Sequence, residues 1–294
     1  MLTKIDSGIL FMLASALISA LNGALTKILS DDISALEIVF FRNFIGIFLV
    51  MSALKHTPPK LKGGKFHFLF LRGFFGFSAM ILFFYTIAEI PLGEAITLNK
   101  TSPFFVTILA FFLLREDLHI KTAIALFIGF LGVIFITKPF GMEFSYIHFL
   151  GLLGGFFAAA AYTTIKKIKD IYDSRIIVLS FVFVGTIMPA ILFIIAPYMH
   201  VSQKFSFLFP EFIVPSNLEV WMLIAFMAII STFSQWLLTK AYSSKNLSII
   251  GVISYTNIPF AITFGYLLGD AFPDNLTLFG IVLIIFGGIL VSKK

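Results

Sequence analysis

Ten long apolar stretches, separated by short polar segments, constrain the fold of this chain more than any other feature of its sequence. A helix needs about 20 mainly apolar residues to cross the hydrocarbon core of a bilayer. The stretches are residues 8–29, 35–53, 66–88, 92–114, 120–137, 146–165, 176–196, 219–240, 247–268 and 276–291. This pattern predicts ten transmembrane helices.

The composition supports lipid as the solvent of the chain. Of its 294 residues, 59% are hydrophobic and only 12% are charged, whereas soluble domains carry about 25% charged residues. The apolar runs are too long for the alternating strands of a membrane barrel, and an isolated span satisfies its own backbone only as a helix. The sequence therefore predicts an all-α integral membrane protein.

Lys and Arg residues cluster after every second apolar stretch. If the N-terminus is cytoplasmic, 16 of the 21 basic residues, Arg72 among them, fall on the cytoplasmic side, and only Lys138 and Lys204 fall outside. Such a bias orients multi-pass proteins. We expect a protein of the cytoplasmic (inner) membrane with both termini in the cytoplasm. The net charge of +6 then reflects this bias, and we expect no nucleic-acid partner.

The two halves of the chain share landmarks in the same order. Pro103 is followed by Glu116 thirteen residues later, and Pro259 is followed by Asp270 eleven residues later. An odd number of spans in each half turns the second copy upside down in the membrane. Inverted repeats of this kind are typical of alternating-access transporters.

Two segments carry a resemblance to a known family. EIVFFRNFIG (37–46) and RGFFGFSAMILFFYTIAEIPLGEAITLNKTSPFFVTILAFFLLRE (72–116) resemble the EamA-type branch of the drug/metabolite transporter superfamily. The resemblance implies ten helices in two inverted five-helix repeats, here residues 1–142 and 143–294. It also implies transport of a small organic solute, and it leaves a homodimer open.

Ionisable side chains inside membrane spans are expensive and are functional candidates by default. The spans contain Lys27, Arg42, Glu94 and Lys100. Lys100 lies about 12 Å from the start of its span at 1.5 Å rise per residue, so it is close to the midplane. Lys27 can instead snorkel to the membrane surface, and Arg42 can instead tie its helix to neighbouring backbone. We expect Lys100, Arg42 and Glu94 to contact the substrate.

Polar and aromatic residues near these groups complete the predicted substrate site. They are Asn22, Tyr85, Asn99, Gln235, Trp236, Tyr255 and Asn257. The competing interpretation is structural, because Asn and Gln also join membrane helices and Tyr and Trp also anchor helices at the lipid interface. The sequence alone leaves both interpretations open.

The leading functional prediction is a secondary transporter that moves a small organic metabolite by alternating access. The spans contain three basic groups, Lys27, Arg42 and Lys100, and one strong acidic group, Glu94. This excess of positive charge favours an amino acid or a nucleotide-like compound carrying a carboxylate or phosphate as the substrate. The alternatives are a multidrug or cationic-metabolite exporter of the same fold and, less favoured, an integral-membrane enzyme or a channel. The histidines show no metal-binding spacing and there is no phosphate-binding loop. We therefore predict no catalytic residue, metal or cofactor, and the predicted partners are the substrate, the lipid bilayer and, left open, a second copy of the chain.

Overall fold

The computed structural model describes residues 7–57, 59, 63–114, 120–137, 145–199, 201–243, 250 and 253–292. Within these residues the regular secondary structure is entirely helical. The α-helices of this part of the chain are α1 (Ser7–Leu29), α2 (Ala35–His56), α3 (Phe66–Glu89), α4 (Leu92–Asn99), α5 (Ser102–Leu114), α6 (Ile120–Thr137), α7 (Tyr146–Ile168), α8 (Ser174–Ile195), α9 (Leu218–Tyr242), α10 (Asn257–Leu267) and α11 (Asn275–Ser292). The all-α prediction is confirmed for the described residues.

Six of these helices are long and apolar enough to cross a membrane. They are α1, α2, α3, α7, α8 and α9, with apolar segments 22 to 25 residues long. About 20 residues suffice to span the hydrocarbon core. These helices provide the membrane-spanning frame on which the shorter helices pack.

Side-chain caps fix where two of the long helices begin. Before α2, the Ser34 hydroxyl accepts a hydrogen bond from the Glu37 N–H, and the Glu37 carboxylate accepts one from the Ser34 N–H at 2.8 Å. Before α8, the Asp173 carboxylate accepts one from the Arg175 N–H at 2.8 Å. These bonds satisfy backbone donors that have no partner inside the helix. The Arg175 guanidinium also bonds Asp173, which lowers the pKa of the Asp173 carboxyl.

The predicted span 92–114 is divided into two helices rather than continuous. Lys100 and Thr101 form a turn between α4 and α5, and Pro103 stands in the first turn of α5. Proline has no N–H to donate and its ring crowds the preceding turn, so the helix breaks before it. A related irregularity precedes α10, where Ser254–Thr256 form a 3₁₀ turn close to Pro259.

Helices from the beginning of the chain pack against helices from its end. α3 lies along α7, α1 along α9, α2 along α8 and α6 along α11, while α4 packs on α10. At the α6–α11 contact, a Cβ on Gly132 would lie 2.7 Å from the Gly280 carbonyl oxygen, and a Cβ on Gly280 would lie 2.7 Å from that of Gly132. Only glycine permits so close an approach of two helix backbones. The core therefore lies between the two halves of the chain.

The two ends of the bundle differ in their connections. The long-loop end carries the segment between α8 and α9, which contains 3₁₀ helices at Ala196–Tyr198 and Gln203–Leu208. The terminus end carries the start of α1 and the end of α11. Two landmarks of the sequence prediction, Glu116 and Lys138, lie outside the described residues.

Candidate functional site

A cavity with a volume of about 100 Å³ lies at the centre of the bundle. We call it the central cavity. Its polar lining consists of Ser19, Asn22, Arg42, Arg72, Asn99, Lys100, Tyr162, Gln235 and Asn257. Its remaining lining consists of Gly76, Ala79, Met80, Phe83, Phe84, Ala158, Ala161, Phe181 and Leu238. Helices of both halves supply these side chains, so the cavity lies between the halves.

Three basic side chains line the central cavity, and three different elements position them. Arg42 comes from α2, Arg72 from α3, and Lys100 from the break between α4 and α5. The two arginines are almost fully buried, with 4% and 2% of their surface exposed, whereas Lys100 is half-buried. Lys100 therefore lines the cavity from the helix break itself, next to Asn99 at the end of α4.

Aromatic rings and a thioether hold the two guanidinium groups. The Arg42 guanidinium contacts the Met80 sulfur and lies 5.7 Å from the ring centroids of Phe84 and Phe181. The Arg72 guanidinium lies 4.7 Å from the Phe181 centroid and donates a long 3.5 Å bond to Gln235. Cation–π contacts of this kind favour a desolvated cation, but they supply no negative charge.

The central cavity contains no counter-charge for these cations among its described lining residues. No Asp or Glu lines it, and neither arginine forms an ion pair with a described carboxylate. The Nε atoms of Arg42 and Arg72 also have no hydrogen-bond partner. A buried charge without a partner is costly, so an anion that enters the cavity relieves this cost.

Neutral polar groups complete the cavity wall. The Asn22 Oδ1 atom is buried and has no hydrogen-bond partner, so it can accept a bond from a ligand. Asn257 instead uses its amide nitrogen on the Ala16 carbonyl oxygen at 2.5 Å. Elsewhere in the described structure, no three His, Cys, Asp or Glu side chains gather in a way that could hold a metal ion.

The structure brings six of the ten predicted site residues to the central cavity. They are Asn22, Arg42, Asn99, Lys100, Gln235 and Asn257. It thereby places side chains that are distant in the sequence around one space. Whether they bind a substrate stays a prediction.

The other four predicted residues lie elsewhere. The Tyr85 hydroxyl bonds that of Tyr146 at 2.8 Å near the long-loop end, and Glu94 lies 3.9 Å from the His148 imidazole. Trp236 faces an apolar groove between α2, α8 and α9. Tyr255 is buried outside the lining set, with no hydrogen-bond partner for its hydroxyl.

Two basic residues have surroundings that differ from the sequence prediction. Arg72, expected among the cytoplasmic loop charges, is buried inside α3 and lines the cavity. Its position six residues inside the predicted span 66–88 was the signal that could have revealed it. Lys27, expected to add charge to the substrate cavity, instead pairs with Asp270 at 2.5 Å. Tyr162, which also lines the cavity, had no distinguishing sequence signal.

Contacts between helices lie on both sides of the cavity along the bundle. At the long-loop end, Asp270 accepts bonds from Lys27 and from the Leu92 N–H, at 2.5 and 2.8 Å. Towards the terminus end, the rings of Tyr162 and Tyr242 stack with their centroids 4.6 Å apart. The central cavity therefore lies between two layers of contacts.

The chain belongs to the EamA-like transporter family, whose profile matches residues 6–138 and, separately, residues 145–293. The predicted family is therefore confirmed. Together with the apolar helices, this match identifies a multi-pass membrane protein of a transporter family.

Individual relatives agree with the family assignment. The chain is similar to the pseudopaline exporter CntI of Pseudomonas aeruginosa PAO1, at 33% identity over 99% of this chain and 98% of that protein. It is also similar to an uncharacterized transporter of Helicobacter pylori 26695, at 31% identity over 97% of this chain and 94% of that protein. The riboflavin transporter of Vibrio cholerae is 23% identical over 97% of this chain and 93% of that protein. A solved crystal structure shares the fold, with a TM-score of 0.69 at 15% identity over 98% of this chain and 97% of that chain.

Proposed function

We propose that this protein is a secondary transporter that carries a small organic anion through the central cavity by alternating access. The substrate bears a carboxylate or phosphate, as amino acids and nucleotide-like metabolites do. The observation that carries this proposal is the charge of the cavity. Arg42, Arg72 and Lys100 line it, and no described carboxylate offsets them. An exporter of cationic compounds, the alternative prediction, is disfavoured because the same charges would repel its substrate.

The proposed architecture is ten spanning helices arranged as two inverted repeats, residues 1–142 and 143–294. Its support is the separate family match to each half and the exchange of packing partners. Two inverted repeats would make α1 correspond to α7 and α3 correspond to α9. The contact of α1 with α9 would then correspond to the contact of α7 with α3, and both of these contacts are extensive. Interrupted helices at corresponding positions of two repeats are typical of transporter binding sites, and this chain has interruptions before α5 and α10.

The proposed cycle opens one end of the bundle while the other stays closed. In this structure the cavity has a volume of about 100 Å³, below the roughly 300–1,000 Å³ of typical ligand pockets. The cavity therefore enlarges when either end opens. Following the charge bias, we place the protein in the cytoplasmic (inner) membrane. The long-loop end then faces the external side, and both termini lie in the cytoplasm. The homodimer and the absence of catalysis stay predictions.

Flux into proteoliposomes tests the proposal. Purified protein is assayed for counterflow with amino acids, organic acids and phosphate esters, and with pseudopaline, riboflavin and S-adenosylmethionine, the compounds named for relatives. We expect saturable transport of anions, reduced about tenfold or more in Lys100→Ala because one charge-assisted bond is lost. Lys204→Ala, which removes an exposed lysine from the long loop, is the matched control. Saturable transport of cations alone, or full anion transport by Lys100→Ala, would contradict the proposal.

A further inference from the structure

The guanidinium groups of the two cavity arginines lie beside different turns of α3. The Arg72 side chain folds over Gly76, where an added Cβ would meet its Nη1 atom, while the Arg42 guanidinium contacts Met80. Gly76 and Met80 are four residues apart, which is about 6 Å along a helix axis. The Phe181 ring is within cation–π distance of both groups. The cavity thus offers two separate cationic positions.

Each position is equipped to bind an oxyanion of its own. A guanidinium group presents a planar fork of donors that fits one carboxylate through two parallel bonds. Among the described residues, the hydrogen-bond partner of Arg42 is the Met80 sulfur and that of Arg72 is Gln235, through a long bond. Because the two forks lie beside different turns of α3, each can bind a separate carboxylate of one ligand.

Neutral groups of the cavity fit the portion of a ligand between two such carboxylates. The unpartnered Asn22 Oδ1 atom accepts a hydrogen bond from an amino or hydroxyl group. The half-buried Lys100 adds a third positive charge. A ligand with two carboxylates offers one to each arginine, whereas a ligand with a single carboxylate leaves one arginine without a partner.

Building on the anion transport proposed above, we infer that the central cavity recognises substrates with two separate carboxylates, one at Arg42 and one at Arg72. The class comprises short dicarboxylic acids and acidic amino acids or their derivatives. Specificity then depends on the second carboxylate, which separates this class from neutral amino acids of the same size.

Matched acid and amide pairs test this inference on the full-length protein in nanodiscs. Succinate is compared with succinamate, and L-glutamate with L-glutamine, because each pair differs by one charge at nearly constant shape. Calorimetric titration should show the diacid binding at least about tenfold more tightly than its amide, since a charge-assisted bond is lost with the amide. In Arg72→Gln this preference should fall below about threefold, while the amide itself binds nearly as in the wild type.

Two variants keep the outcome interpretable. Arg175→Gln removes an arginine at the start of α8 that does not line the cavity, so it should keep the full preference. Arg72→Lys retains the charge but loses the fork, and its preference should be intermediate. If Arg72→Gln does not fold, Arg72→Lys decides, and an unchanged preference there overturns the inference.

The remaining outcomes separate this inference from the proposed function. Equal binding of acid and amide overturns the two-carboxylate inference and leaves anion transport intact. Inorganic phosphate that binds as tightly as the diacids also overturns it, because one dianionic group would then suffice. If neither acids, amides nor phosphate bind, the proposed function fails, and the inference fails with it.

Discussion

The long-loop end and the central cavity treat buried charge in opposite ways. At the long-loop end, Lys27 and Asp270 form an ion pair at 2.5 Å, and Asp270 also accepts the Leu92 N–H. In the central cavity, Arg42 and Arg72 are more deeply buried and have no described carboxylate partner. One region satisfies its charges within the protein, whereas the other leaves its charges to be satisfied from outside.

This difference separates stabilising charges from functional ones. Removing one member of a buried pair strands the other charge and destabilises a protein. An uncompensated buried ion is itself costly, so its replacement by an apolar side chain of similar size should be neutral or stabilising. The comparison therefore predicts opposite consequences for stability and transport in the two regions.

The largest expected effect is on transport by Arg42→Met. Loss of a bidentate carboxylate contact, worth about 3 kcal/mol, should reduce transport about 100-fold. The apparent unfolding temperature should stay the same or rise, because a buried charge without a counter-ion is removed. Counterflow and thermal unfolding of the same preparation measure both quantities. A marked loss of stability with normal transport would reverse the comparison.

The next largest expected effect is a loss of stability in Asp270→Ala. The substitution leaves the Leu92 N–H without its acceptor, and leaves the Lys27 ammonium with its 3.3 Å bond to the Ile90 carbonyl oxygen but without its counter-charge. We expect a loss of about 2 kcal/mol, moderated by the partial exposure of the pair. Lys27→Ala combined with Asp270→Ala should recover part of that loss in a double-mutant cycle. Asp32→Ala, at an exposed position of the same end, is the control, and an equal loss there would argue against the pair.

A smaller effect is expected for Gly76→Ala, which tests within the cavity whether transport depends on the position of Arg72. An added methyl group would lie 2.5 Å from the Phe181 ring and would also meet the Arg72 side chain. Overpacking should cost about 1 kcal/mol and displace Arg72, so transport should fall several-fold. At Gly154, on α7, the nearest atom would be 3.4 Å away, so Gly154→Ala should be tolerated in the same unfolding and transport assays.

The smallest effect concerns the paired charges at the start of α8. The carboxylate of Asp173 is stabilised by Arg175, which lowers the Asp173 pKa. Its contribution is therefore complete above about pH 4, the unfolded value, and is lost as the pH falls through the lowered folded value. Asp173→Ala should cost about 1 kcal/mol at neutral pH through loss of the helix cap. The difference from wild type should shrink in acid, and a constant difference would exclude ionisation as its source.

Much of the fold is encoded locally, which is why the sequence predicted it. Apolar runs of membrane length specify helices because each run must satisfy its own backbone. The break at Lys100–Thr101 was missed because its cause, Pro103, is tolerated inside many membrane helices. The hydropathy of residues 92–114 gives no indication of whether the helix continues through the proline.

The candidate site was predicted only in part, because it depends on packing between distant helices. Lys100 and Arg42 were found because a charge inside an apolar run is conspicuous. Arg72 was assigned to a loop since it lies close to the start of its span and follows a series of lysines. Which helix faces meet could not be read from one sequence, so the pairing of Lys27 with Asp270, 243 residues apart, was also missed.

The unpaired arginines also have an electrical consequence. In the proposed cycle, Arg42 and Arg72 are accessible first from one side of the membrane and then from the other. Their charges therefore experience part of the transmembrane voltage, although the side chains do not move far within the protein. One elementary charge that crosses the full field corresponds to about 2.3 kcal/mol per 100 mV. A bound dicarboxylate cancels these two charges. The membrane voltage therefore acts most strongly on the return of the empty carrier, and the loaded carrier crosses with less electrical work.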